Sequence, residues 1–199
     1  MNQLGKWSAS ILSIGGIAYA IVVVIGMVSY GLERPIGGIV LVAMEILTLL
    51  LALVLVVMMA AIHSSAALEW KTNTLVALVF SALFAGISAT VHFVQLTALR
   101  QLGTAGLVWP SPMYAAELLA WDVFLGLSLL FAAPSLQGSR LRRVARTTMT
   151  ACGAMCLIGV IGPATGYMWL QFVSLAGYGL VLPVSCVLLA LNWSRTGGA

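Results

Sequence analysis

The chain has 199 residues, of which 62% are hydrophobic and 7% are charged, and its formal net charge is +4. Soluble domains are roughly 45–50% apolar and about 25% charged, so this chain has too few charges to cover a surface in water. The composition excludes a water-soluble enzyme, a nucleic-acid-binding domain and a disordered tail. It indicates a polytopic α-helical membrane protein, and we expect the lipid bilayer, and no nucleic acid, among its partners.

Six apolar runs come close to the length of about 20 residues that a membrane-spanning helix needs. They cover residues 9–30, 35–62, 75–99, 112–133, 147–161 and 168–191. The connections between them are too short to hold a soluble module. The sequence therefore predicts an all-α fold, a compact bundle of six transmembrane helices that forms a single transmembrane domain over residues 1–199.

Prolines predict where several of these helices begin, end or bend. A proline in the first helical turn lacks only an N–H that has no partner inside the helix, so Pro35 and Pro112 are expected to open the second and fourth helices. The pair Gly162-Pro163 is expected to end the fifth helix. Pro183 lies inside the sixth run and is expected to bend that helix.

The basic residues predict the orientation of the bundle, because cytoplasmic loops are enriched in Lys and Arg. The connection between the fourth and fifth runs carries four arginines, and alternation of the spans puts both termini on the same side as this connection. We therefore expect the N and C termini in the cytoplasm. The basic residues on this inner side are Lys6, Lys71, Arg140, Arg142, Arg143, Arg146 and Arg195, and those on the outer side are Arg34 and Arg100.

The three cysteines are Cys152, Cys156 and Cys186, and no C-x-x-C pair occurs. This spacing argues against thiol–disulfide chemistry. Free cysteine packs as a small hydrophobic residue. We therefore expect all three in the core.

A short internal similarity relates the second and fourth helices. Residues 43–47 (AMEIL) resemble residues 115–119 (AAELL), and the same offset aligns two alanine pairs further along. Chance similarity is common in so apolar a chain, so duplication of a helical hairpin is one of two explanations.

Four ionisable residues lie within the apolar runs: Glu45, His92, Glu117 and Asp122. Such groups are costly in a bilayer, at roughly 2.5–3.5 kcal/mol for Asp, Lys or Arg at a helix centre. At 1.5 Å per residue, all four lie roughly 8–15 Å below the outer ends of their helices. Because three separate helices place them at one depth, we predict that these four residues form a catalytic site.

Polar neighbours extend this site. Ser81, Ser88, His92 and Gln95 follow helical spacing on one face of the third helix, and facing lipid would leave them without partners. We predict a polar chamber, open or nearly open to the outer side, between helices two, three, four and six. The side chains expected to contact a substrate there are Gln95, Trp121, Gln171, Ser174 and Tyr178.

Asp122 complicates this arrangement. It follows Glu117 by five residues, which turns it about 140° away around a regular helix. The two carboxylates can therefore share one site only if the fourth helix is distorted.

Acid–base chemistry is the leading functional hypothesis. A carboxyl group shielded from water keeps its proton more readily than in water, and it can then protonate an alkene, epoxide or carbonyl. The faces of aromatic rings can stabilise a transient cation. The sequence thus predicts an intramembrane enzyme of the isomerase or cyclase type, without a cofactor, that acts on a hydrophobic, isoprenoid-like small molecule.

Three other functions stay open. Buried carboxylates and histidine also form proton relays, which predicts a proton-coupled transporter or channel. His92 with two glutamates has the composition of a metal site, but their spacing matches no metal-binding signature, so we expect no metal. A non-catalytic partner subunit would use the same groups as contacts between helices.

The sequence leaves open whether the protein forms a homo-oligomer. Because the connections between the helices are short, we expect the protein in the plasma membrane of a prokaryote.

Overall fold

The computed structural model describes residues 2–31, 36–103 and 106–196. It is 90% helical, with no strand in these residues. Six helices are long and apolar enough to cross a membrane, which confirms the predicted all-α, six-span fold. They are α1 (Gln3–Tyr30), α2 (Gly38–Ser65), α3 (Leu68–Leu102), α4 (Pro112–Ser135), α5 (Arg140–Thr165) and α6 (Met168–Arg195).

The six helices form a closed ring. Each helix packs against the next one along the chain, and α6 returns to pack against α1. Seven basic residues lie at one end of the ring, which we call the basic end, while Arg100 lies at the opposite end, the chamber end. Arg34 and Pro35 fall outside the described residues.

Apolar side chains fill the half of the ring nearer the basic end. Met58, Met59, Phe84, Leu129 and Met149 are each at most 1% exposed there. The cysteines Cys152, Cys156 and Cys186 are buried and free, which confirms their predicted place in the core.

α5 is longer at both ends than its apolar run of residues 147–161. It begins at Arg140, because the Ser139 hydroxyl accepts a hydrogen bond from the Arg142 N–H at 3.2 Å and caps the helix. The prediction that Gly162-Pro163 ends the helix was wrong. The helix turns at Val160 and restarts, so Pro163 lies in a first turn, where its missing N–H costs no hydrogen bond.

α3 also begins earlier than its apolar run, with a 3₁₀ turn at Leu68–Trp70. The connection from α2 is tight, because the Lys71 ammonium donates to the His63 carbonyl at 2.6 Å and to the Ser64 carbonyl at 3.1 Å. The bond to Ser64 pairs a carbonyl at the C-terminal end of α2, and the bond to His63 adds to the one that this carbonyl accepts from the Ala66 N–H.

α4 begins at Pro112, as predicted. The Ser111 hydroxyl accepts from the Tyr114 N–H at 3.1 Å and caps the helix.

Three of the helices contain a π turn, in which one extra residue widens the helix. These turns lie at Gln95–Leu99 in α3, Leu119–Leu125 in α4 and Gly177–Val181 in α6. The turn in α6 directly precedes Pro183, so the distortion predicted there takes the form of a π turn. Such turns are frequent at functional sites.

Candidate functional site

A cavity of about 600 Å³ opens at the chamber end of the ring. Its walls come from α2, α3, α4 and α6, as predicted, and also from α1, which the sequence did not implicate. Apolar side chains make up most of the lining, including Val23, Met27, Leu41, Leu118, Phe172 and Leu175. We call this cavity the chamber.

His92 lies between two glutamates within the chamber lining. Its Nδ1 contacts the Glu45 carboxylate on α2, and its Nε2 is 2.8 Å from Oε1 of Glu117 on α4. All three side chains are buried, with exposed fractions of 6%, 2% and 8% for His92, Glu45 and Glu117. The matched depths therefore did indicate a real cluster, which we call the Glu–His–Glu triad.

Glu117 holds its partners through a single oxygen. Oε1 accepts from the Ser88 hydroxyl at 2.9 Å, from His92 and from the Trp121 indole N–H. Three donors that converge on one oxygen are the partners of an ionised carboxylate, because charged acceptors form the strongest hydrogen bonds. Oε2 of Glu117 is buried and has no partner in the described residues.

Aromatic rings form one wall of the chamber beside the triad. The Trp121 ring lies 4.5 Å from the Tyr178 ring, centroid to centroid, and 4.8 Å from the Phe84 ring, which it meets edge to face. Trp121 and Tyr178 both line the chamber. Aromatic rings therefore lie beside the triad, where such rings can stabilise a cation.

The structure does not bring Asp122 to the other three ionisable residues. Asp122 is fully buried, does not line the chamber, and accepts from the Gln171 amide at 2.6 Å. The same amide group donates to the Gly159 carbonyl at 2.8 Å. Asp122 therefore joins α4, α5 and α6, on the other side of α4 from the triad.

The five residues expected to contact a substrate divide into two groups. Gln95, Trp121, Gln171 and Tyr178 line the chamber. Ser174 does not: it is fully buried, and its hydroxyl donates to the Gln171 carbonyl at 3.1 Å.

Two tyrosines of the chamber lining were not assigned to the site from the sequence. Tyr19 of α1 lines the chamber, and so does Tyr114 near the start of α4. The signal for Tyr19 was a tyrosine far from either end of an apolar run, where the aromatic residues of membrane interfaces do not lie.

No group of three or more His, Cys, Asp or Glu side chains within residues 2–31, 36–103 and 106–196 is arranged to hold a metal ion. Both ring nitrogens of His92 contact carboxylates, so the triad has no free histidine ligand.

Fold and site together define an all-α, multi-pass membrane protein with a buried Glu–His–Glu triad in an apolar chamber. The chain matches no protein-family model, and no curated protein or solved structure is detectably similar to it.

Proposed function

We propose that this protein is an intramembrane acid–base enzyme of the isomerase or cyclase type, which acts on a lipophilic, isoprenoid-like alkene. The observation that supports it best is the position of His92, which contacts a glutamate through each ring nitrogen in the wall of a largely apolar chamber. The triad thus places proton donors and acceptors in the wall of a cavity that is apolar enough to hold a hydrocarbon.

The contacts of the triad suggest which of its three residues carries a proton in the proposed mechanism. In the proposed resting state, Glu117 is the carboxylate and His92 carries the balancing proton. A triad without net charge is favoured away from water, and it requires a proton on Glu45. Because the Nδ1–H of His92 then donates to one Glu45 oxygen, the proton lies on Oε1, which has no hydrogen-bond partner in the described residues.

The reaction step uses this proton and returns it. Glu45 protonates one alkene carbon of the substrate, which leaves a carbocation and a Glu45 carboxylate that His92 stabilises. The faces of Trp121 and Tyr178 stabilise the cation. The carboxylate then removes a proton from a carbon next to the cationic centre, which forms the new double bond. In a cyclisation, a second alkene of the same molecule attacks the cation before this proton leaves.

A proton-coupled transporter is the runner-up, because a histidine between two carboxylates also suits a proton relay. The packing in the half of the ring nearer the basic end argues against a transporter. The side chains packed below the chamber, among them Leu55, Met59 and Leu129, are apolar and almost fully buried, which is unfavourable for a proton path through this half.

For its location, we propose the plasma membrane of a prokaryote, with the basic end in the cytoplasm. Seven basic residues at one end of the ring support this orientation. The chamber then opens towards the outer leaflet.

The test is solvent-deuterium incorporation by the purified protein in neutral detergent. Farnesol, geranylgeraniol and squalene are incubated with it in D₂O, and the lipids are analysed by mass spectrometry. An enzyme that protonates carbon places deuterium in C–H bonds. Glu45→Gln is expected to lower this incorporation by at least about 10²-fold, the usual contribution of a general acid.

Glu69→Gln is the matched control, because Glu69 is exposed at the basic end and is expected to keep full activity. Equal incorporation by Glu45→Gln and wild-type protein would contradict the proposal. So would a protein that moves protons across sealed vesicles under an imposed pH difference but labels no lipid; that result favours the transporter.

A further inference from the structure

A second space, outside the chamber, lies between α2 and α3 at the chamber end. This α2–α3 groove has a volume of about 510 Å³ and shares Leu41, Glu45 and Gln95 with the chamber lining. The two spaces therefore lie next to each other at these three residues. Ile39, at the rim of the groove, is 79% exposed, so the groove opens on the outer surface of the ring.

Two hydrogen-bond donors in the groove have no partner among residues 2–31, 36–103 and 106–196. Arg100 is exposed, lines the groove and has no ion pair with any described residue. The Gln95 side-chain oxygen accepts from the Gly106 N–H at 2.9 Å, which fixes the orientation of the amide. Its NH₂ group has no acceptor in the part of the chain that the structure describes, and it lies where the groove meets the chamber.

The π turn at Gln95–Leu99 explains why both donors line one groove. Residues five apart point about 140° away from each other on a regular α-helix. The wider π turn, with its i→i+5 hydrogen bonds, brings Gln95 and Arg100 closer to one face. The π turn thus allows Gln95 and Arg100 to line the same groove.

We propose that the α2–α3 groove binds the phosphate head of an anionic isoprenoid lipid, whose chain passes Glu45 into the chamber. Arg100 and the Gln95 amide donate to the phosphate oxygens. This proposal rests on the proposed function, since it names the class of lipid that reaches the triad. Arg100 follows His92 by eight residues, so the two residues are roughly 12 Å apart along the helix axis, which sets the scale of the distance from the phosphate to the triad.

The experiment measures binding, so its outcome does not depend on turnover. The affinities of farnesyl phosphate and farnesol are compared by calorimetry in neutral detergent. Wild-type protein is expected to bind the phosphate at least about ten-fold more tightly, the effect of one charge-assisted hydrogen bond. Arg100→Gln is expected to remove this preference and to leave the affinity for farnesol unchanged, while Arg100→Lys keeps most of the preference.

Arg140→Gln is the matched control, because Arg140 is an exposed arginine at the basic end. If Arg140→Gln removes the preference for farnesyl phosphate as Arg100→Gln does, the preference comes from the overall positive charge of the protein and not from binding in the groove. Equal affinity of wild-type protein for the two lipids also overturns the proposal. Competition by inorganic phosphate as strong as that of the lipid would assign the groove to free phosphate instead. Loss of deuterium incorporation with intact binding would reject the proposed reaction alone.

Discussion

Glu117 and Asp122 show how local partners separate two acids on one helix. Glu117 accepts three hydrogen bonds and contacts His92, a group that can carry charge and exchange protons. Asp122 accepts from the neutral amide of Gln171, and no donor in the described ranges lies at hydrogen-bonding distance and angle from its Oδ1. Glu117 is therefore equipped for proton chemistry, whereas Asp122 is equipped to hold α4 against α5 and α6.

Substitutions of Asp122 are expected to affect stability and to spare activity. Asp122→Ala removes the acceptor of the Gln171 amide and is expected to lower the free energy of unfolding by about 1–3 kcal/mol. Asp122→Asn keeps an oxygen acceptor and is expected to stay close to wild type. Thermal unfolding in detergent and deuterium incorporation provide the two readouts. An Asp122→Asn protein that is stable but inactive would instead make Asp122 part of the reaction.

The sequence predicted the depth of the triad residues but not every side chain that surrounds them. Equal depth on α2, α3 and α4 follows from the rise per residue, so the meeting of Glu45, His92 and Glu117 could be predicted. The rotation of each helix about its axis is set by packing along its whole length. The five-residue spacing already indicated that Asp122 points away from Glu117, whereas the approach of Tyr19 from α1 depends on those rotations, which no local pattern encodes.

At the scale of helices, close backbone approach holds α4 against α5. Gly126 and Gly153 face each other, and a Cβ added to Gly153 would lie 2.7 Å from the Gly126 carbonyl oxygen. Small residues at such contacts are typical of helix packing in membranes, where van der Waals contact drives association. The same helix pair carries Asp122 and Gly159, so its spacing positions that cluster as well.

Gly153→Ala is therefore expected to destabilise the bundle by about 1–3 kcal/mol, because the added methyl group meets backbone and cannot be accommodated by a side-chain rotation. Gly86→Ala is the matched control. Gly86 is exposed on α3, and a Cβ there meets nothing within 4 Å. That variant is expected to be neutral or more stable, by up to about 1 kcal/mol. Equal unfolding temperatures of the two variants in detergent would contradict the close contact.

Two of the three π turns could not be predicted from the sequence. Only Pro183 gave a sequence signal, because a proline disrupts the hydrogen bonds of the preceding turn. The turns at Gln95–Leu99 and Leu119–Leu125 contain no proline or glycine, so propensity does not distinguish them from a regular helix. All three occur in helices that wall the chamber.

Across the whole molecule, the ring divides into a packed half and an open half. The similar segments 43–47 and 115–119 place Glu45 and Glu117 at equivalent positions, and in the folded ring these glutamates contact opposite nitrogens of His92. Helices α2 and α4 thus flank α3 with matching acids. This relation gives the internal similarity a structural correlate that the sequence alone did not provide.

The orientation of the ring predicts which face of the membrane the chamber opens to. A cysteine replaces exposed Gln137 at the basic end or exposed Tyr167 at the chamber end, and intact cells are treated with a membrane-impermeant maleimide. The native cysteines are buried and serve as the unlabelled background. Because the basic end is expected in the cytoplasm, Tyr167→Cys should react in intact cells and Gln137→Cys only after lysis. The reverse pattern would invert the bundle and make the chamber, with its groove, accessible from the inner leaflet.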